Sequence, residues 1–133
     1  MKTILLIEDN EDIRENTCEL LELEGYHVLS AMNGGIGLAY AKEFLPDIVL
    51  CDIMMPVTNG YEVFLELKAL PLTAAIPFIF LTANAENRDM ENGMQLGADG
   101  YIRKPFSPEE LLEMLCRCWP VHEKAQDTNV SGS

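Results

Sequence analysis

Five side chains suited to metal and phosphoryl chemistry stand at the ends of four short apolar runs in this 133-residue chain. Glu8 and Asp9 follow the run 4–7, and Asp52 follows the run 48–51. Thr82 follows the run 78–81, and Lys104 follows 100–103 and precedes Pro105. Carboxylates, a hydroxyl and an ammonium together suit a divalent cation and a phosphoryl group. Two like charges about 4 Å apart repel by about 4 kcal/mol at an effective dielectric near 20. Three carboxylates in one place therefore need compensation. A hard cation such as Mg²⁺ supplies it through oxygen ligands, and Lys104 supplies a further point charge. A carboxylate can also attack phosphorus and hold an aspartyl-phosphate, which makes Asp52 a credible acceptor. Taken singly, each residue has an ordinary reading: a Glu-Asp pair as a helix cap, an Asp as a turn residue, a Lys before Pro as a solvated charge. Their joint arrival at successive run ends carries the argument.

The apolar runs must be the elements that position these groups. Short continuous apolar stretches spaced by helical patterns read as buried parallel strands. The pattern predicts strands over 3–7, 26–31, 47–51, 78–81 and 100–103, alternating with helices. The first helix spans about 11–24, with Asn10 as its cap and Gly25 as its stop. The second follows Asn33 and places Ile36, Ala39, Tyr40 and Phe44 on one face. In the third, Asn59 and Glu62 form a capping box, and Val63, Phe64, Leu67 and Leu70 form the buried stripe. The fourth, about 86–96, has the weakest pattern, with Met90 and Met94 as its main apolar pair. Its internal Gly93 costs roughly 1 kcal/mol relative to Ala. The fifth opens on Ser107-Pro108-Glu109-Glu110, with a Ser cap, Pro at the first helical position and Glu at the third. Its stripe is Leu111, Leu112, Leu115, Cys118 and Trp119.

Five such units predict an α/β, doubly wound, five-stranded parallel sheet of flavodoxin-like type, in the order 2-1-3-4-5. Its switch point lies between strands 1 and 3, so Glu8, Asp9 and Asp52 face one another across that crevice.

Composition narrows the function classes. The formal net charge is −13, which argues against a nucleic-acid-binding surface within this chain. No apolar run approaches the ~18 residues of a membrane span. The opening residues turn acidic too soon for a signal peptide, so a cytoplasmic location is expected. The four cysteines show no C-x-x-C spacing and are read as reduced and structural. Cys51 precedes Asp52, but strand alternation turns its side chain to the opposite face. After Pro120 the chain becomes polar, so residues 1–119 form one domain and 120–133 a tail or the start of a linker.

The sequence resembles receiver domains of two-component response regulators over about residues 2–119. The resemblance rests on Glu8-Asp9, on Asp52 with Met54-Met55-Pro56 and Gly60, on Thr82-Ala83, and on Gly97-Ala98-Asp99-Gly100-Tyr101 running into Lys104-Pro105-Phe106. It implies phosphorylation of Asp52 from a phosphohistidine on a sensor histidine kinase or a histidine phosphotransfer protein. It implies Mg²⁺ held by Glu8, Asp9, Asp52 and the backbone carbonyl of Met54. Thr82 would hydrogen-bond the phosphoryl group, Lys104 would pair with it, and Tyr101 would reorient as the switch aromatic. The Lys104–Pro105 peptide is expected to be cis. The surface of the fourth helix, fifth strand and fifth helix would then change, to meet an output protein or a second copy. Such a chain is not a turnover enzyme, although it assists its own phosphotransfer and slow dephosphorylation. Met54 and Asn84 flank the approach of hydrolytic water, and an apolar Met54 cannot orient it by hydrogen bonding.

Two rival readings share parts of this pattern. A haloacid-dehalogenase-type phosphatase uses an aspartyl nucleophile with a second Asp two residues on, where this chain has Met54. A flavodoxin-like cofactor binder needs a phosphate-cradling loop after strand 1, where this chain has Glu8-Asp9-Asn10.

Overall fold

In the computed structural model, which describes residues 2–83 and 97–119, the apolar runs lie side by side. Strands β1 (Thr3–Ile7), β2 (His27–Ala31), β3 (Ile48–Asp52), β4 (Phe78–Thr82) and β5 (Gly100–Arg103) form one sheet, ordered β2-β1-β3-β4-β5. Every neighbouring pair is parallel. The described helices are α1 (Glu11–Leu23), α2 (Gly34–Phe44), α3 (Gly60–Lys68) and the C-terminal α4 (Pro108–Cys118). The helix predicted over 86–96 lies outside the described residues, so α4 is the fifth predicted helix.

Strand alternation sorts the core into two layers. Leu5, Ile7, Val49, Cys51, Phe78 and Phe80 meet Leu38 and Ala41 of α2 and Val63, Phe64 and Leu67 of α3. Ile4, Leu6, Ile48, Leu50, Ile79 and Leu81 meet Leu21 of α1 and Leu111 and Leu115 of α4. All residues of β3 and β4 are buried, as central strands covered on both faces require. Phe64, Phe78 and Phe80 stack mutually with centroids 5.0–5.6 Å apart. Truncating a buried Phe of this kind to Ala costs about 3–5 kcal/mol.

The helix starts follow their caps. Asn10 accepts a hydrogen bond from the Ile13 amide, and capping boxes pair Asn59 with Glu62 and Ser107 with Glu110. Each such cap contributes about 1 kcal/mol. Gly25, with φ +94°, takes the left-handed turn after α1 that a β-carbon would oppose. At the opposite end of the sheet from Asp52, two aspartates fasten strands together. Asp47 Oδ2 accepts from the Thr3 amide at 2.7 Å, and Asp99 Oδ2 accepts from the Phe78 amide at 2.8 Å.

Two expectations are corrected. The buried face of α2 is Gly34, Gly37, Leu38 and Ala41, whereas Ala39 is exposed and Phe44 is 51% exposed. The helix rests on the sheet through its smallest residues. A β-carbon on Gly37 would lie 2.7 Å from Ile7 Cγ1, so bulky side chains are displaced to the flanks of the contact. Ile36 and Tyr40 pack there, half-buried. Leu70 is also exposed rather than part of the α3 stripe, because α3 ends at Lys68 and Leu70 lies beyond its cap, Ala69. Strand limits shift slightly: β2 starts at His27, β3 covers Ile48–Asp52, and β4 extends to Thr82.

Candidate functional site

Register brings the carboxylates together. Leu6 pairs with Leu50 and Ile7 with Cys51, so Glu8 and Asp52 are next in line. Neighbouring strands lie about 4.8 Å apart, and the shared parity sends both side chains to the same side. On the other flank Asp52 pairs with Leu81, and Thr82 pairs with Arg103. The Lys104 amide then donates to the Thr82 carbonyl at 2.7 Å, which ties the lysine segment to the end of β4. The Lys104–Pro105 peptide is cis, as expected. Behind Asp52 the chain closes tightly, with the Gly60 amide donating to the Ile53 carbonyl at 2.9 Å. A β-carbon on Gly60 would press on the Asp52 carbonyl oxygen and lie 2.9 Å from Ile53 Cα, so only glycine fits.

The result is a compact charge cluster. One carboxylate oxygen from each of Glu8, Asp9 and Asp52 lies within 4.8 Å of the others. The Lys104 ammonium sits 2.8 Å from Glu8 Oε1 and 3.3 Å from Asp52 Oδ2. Glu8 is fully buried and Asp52 is 4% exposed, whereas Asp9 is open to solvent. The second Glu8 oxygen accepts from the Asn10 amide at 3.2 Å. Each Glu8 oxygen thus makes one contact within the protein and keeps a further lone pair, while Asp9 opens to solvent. Thr82 is buried at the end of β4. Tyr101 is half-buried, its ring edge-on to Phe80 with centroids 6.3 Å apart. Met54 is 66% exposed, and Asn84 lies outside the described residues.

Electrostatics follow from that crowding. Burial, then the charge of Glu8, pushes the Asp52 carboxyl up to about 7, against the opposing pull of Lys104. Burial alone would lower the Lys104 ammonium, but its hydrogen bond to Glu8 and the charges of Asp52 and Glu8 outweigh it and raise it. Burial also holds the Cys51 thiol well above its ordinary range, so the neighbour of Asp52 is an inert sulfur. Three hard oxygen donors against one ammonium leave a net negative pocket, and this donor set fits a small divalent cation.

The sequence reading brought Glu8, Asp9, Asp52, Thr82 and Lys104 to one sheet edge, and the structure does the same. It missed Arg14, whose guanidinium donates to the Glu8 carbonyl at 2.9 Å. No spacing rule marks such a side-chain-to-backbone bond, although Arg14 is the one basic residue of α1. It also missed Val57, which is fully exposed at φ +69° in the loop after β3.

Comparison with known proteins agrees with this geometry. A family model described as the response regulator receiver domain matches residues 4–116. The phosphate regulon transcriptional regulatory protein PhoB of Pseudomonas aeruginosa is 44% identical over 114 residues, covering 86% of this chain and 50% of that protein. The response regulator SaeR of Staphylococcus aureus is 39% identical over 112 residues, covering 84% and 48%. The chain thus spans about half the length of the curated relatives it matches. Among solved structures, the chemotaxis response regulator CheY4 of Vibrio cholerae superposes with a TM-score of 0.83 at 31% identity, covering 89% of this chain and 98% of that one. The chain belongs to the response regulator receiver domain family.

Proposed function

We propose that Asp52 is the phosphoacceptor of a two-component signalling switch, and that residues 1–119 form its receiver. The carrying observation is the cluster itself: three carboxylates within 4.8 Å, with the Lys104 ammonium bridging Glu8 and Asp52. An Asp52 oxygen attacks phosphorus of a phosphohistidine on a sensor kinase or phosphotransfer protein. The P–N bond breaks, the imidazole leaves, and its nitrogen takes up a proton. Glu8, Asp9 and Asp52, with the Met54 carbonyl, would hold Mg²⁺, which when bound would offset the repulsion between the nucleophile and the phosphoryl oxygens. Lys104 moves its pairing from Asp52 to a phosphoryl oxygen, and Thr82 donates its hydroxyl to another.

Capture of Thr82 by the phosphoryl group shifts the end of β4 and lets Tyr101 turn. The surface around β5 and α4 then changes, which is the readout for an output protein or a second copy. The chain is in this reading the substrate and switch of another protein's chemistry, not a turnover enzyme. Its place is the cytoplasm, where phosphohistidine donors act; among the described residues no helix is long and apolar enough to cross a membrane. The tail expected over 120–133 lies outside the described residues. PhoB is named as a transcriptional regulator. A DNA-directed output would fall to residues beyond this acidic chain or to a partner, given its net charge of −13. Acetyl phosphate with Mg²⁺ tests the phosphoacceptor: one phosphoryl group is expected on the wild type and none on Asp52→Asn.

A further inference from the structure

The helix that follows Asp9 carries five acidic residues and a single basic one, Arg14. Of the positions three or four away from Arg14, only Glu11 is acidic, so helical spacing offers it one ion-pair partner. Here its side chain instead reaches back over the first turn, and Nη1 donates to the main-chain carbonyl of Glu8 at 2.9 Å. That carbonyl belongs to the peptide plane between residues 8 and 9. The next plane, between 9 and 10, is held from the other side, since the Asn10 amide donates to Glu8 Oε2 at 3.2 Å. Peptide units are rigid planes, so the two torsions of Asp9 are the only soft joints between them. Fixing both planes fixes the Asp9 backbone.

The brace is itself anchored. Arg14 N–H donates to the Asn10 carbonyl at 2.9 Å, and Asn10 Oδ1 accepts from the Ile13 amide at 3.0 Å. On the strand side, the Glu8 amide donates to the Ala31 carbonyl at 3.0 Å. Asp9 is therefore an exposed carboxylate on a backbone held from both sides. A solvated, unbraced Asp would have to be ordered by each arriving cation, at a cost in backbone entropy.

We propose that Arg14 is a positioning residue for the cation site, holding the Glu8 carbonyl so that Asp9 is preset for coordination. This deepens the function proposed above and rests on it. A purely electrostatic role has the opposite sign. Arg14 is a cation near three carboxylates, so its charge alone would oppose a second cation, and removing it would tighten Mg²⁺ binding. Removing a brace loosens it.

Isothermal titration calorimetry with Mg²⁺ on the full chain separates the two, using Arg14→Met, which keeps the stem and loses the donor. The dissociation constant is expected to rise about tenfold, the scale seen when groups that orient a metal ligand are lost. Labelling by acetyl phosphate gives the second readout. The Mg²⁺ concentration for half-maximal rate should rise in parallel, while the rate at saturating Mg²⁺ stays at the wild-type level. Unchanged or tighter Mg²⁺ binding in Arg14→Met overturns the inference. Should that variant not fold, Arg14→Lys carries the same test, because it keeps the charge but not the reach or the planar fork. Weaker binding than wild type is expected there, and unchanged or tighter binding overturns the inference. A wild-type chain that binds no Mg²⁺ overturns the metal site and the brace together, whereas equal binding by wild type and variants overturns the brace alone.

Discussion

Replacing the phosphoacceptor should make the metal-free protein more stable. Glu8 and Asp52 are both buried, and a single ammonium serves them. Asp52→Asn removes one charge and leaves Lys104 paired with Glu8 at 2.8 Å. The magnitude follows from the carboxyl being pushed from 3.8 to about 7 on folding. At 1.36 kcal/mol per tenfold, that displacement corresponds to about 4 kcal/mol at most. Water reaches the cluster from the exposed Asp9 side, and its screening leaves about 2 kcal/mol. The sign is set by proton uptake. Between about 4 and about 7 the folded protein holds the Asp52 proton more tightly than the unfolded chain does, so stability falls as pH rises through this window. Below it both states are protonated and the penalty is absent; above it the penalty is complete. Urea denaturation in a chelator should therefore show Asp52→Asn more stable than wild type by about 2 kcal/mol at pH 8, with a clearly smaller gap at pH 5. Added Mg²⁺ should stabilise the wild type more than the variant and close the gap. A variant less stable than wild type at pH 8, or a gap that ignores pH, would refute the reasoning.

Three further changes probe the loop that carries the site. Val57 is β-branched, fully exposed and held at φ +69°, so Val57→Gly loses no packing and should gain about 1 kcal/mol by urea denaturation. Gly60→Ala places a methyl against the Asp52 carbonyl and Ile53 Cα, and should cost about 1–3 kcal/mol while slowing phosphorylation by acetyl phosphate. Met54→Asn puts a hydrogen-bonding group on an exposed position two residues after Asp52, and should shorten the lifetime of the phosphorylated form when phosphate release is timed at saturating Mg²⁺.

The sheet was legible because its strands are continuous apolar runs. Ile-Val-Leu-Cys, short, β-branched in part and preceded by Pro46, fits a buried parallel strand better than a helix, and the order of such strands is limited by crossover handedness. The site was legible for the same reason: chemistry at the ends of parallel strands has a fixed place, so Glu8, Asp9, Asp52, Thr82 and Lys104 could be assigned to one edge. Caps at Asn10, Asn59 and Ser107 were legible because their bonds are local in sequence.

What failed depended on contacts between elements. Helical spacing of apolar residues puts Ile36, Ala39, Tyr40 and Phe44 on the α2 face, but Gly34 and Gly37 form the contact because the helix approaches Thr58 and Ile7 closely. Leu70 was read as a continued stripe, but α3 stops at Lys68 before its period brings Leu70 round. The raised Asp52 carboxyl and the Arg14 brace are products of three-dimensional packing, and no periodicity encodes them. The weak fourth predicted helix and Asn84 fall outside the described residues.

The central claim is that Asp52, alone among the carboxylates clustered at this sheet edge, carries the phosphoryl group. Intact-mass spectrometry after incubation with acetyl phosphate and Mg²⁺ tests it most directly. One added phosphoryl group is expected on the wild type and on Arg14→Met at saturating Mg²⁺, and none on Asp52→Asn or on any protein in excess chelator. Equal labelling of Asp52→Asn and wild type would contradict the account.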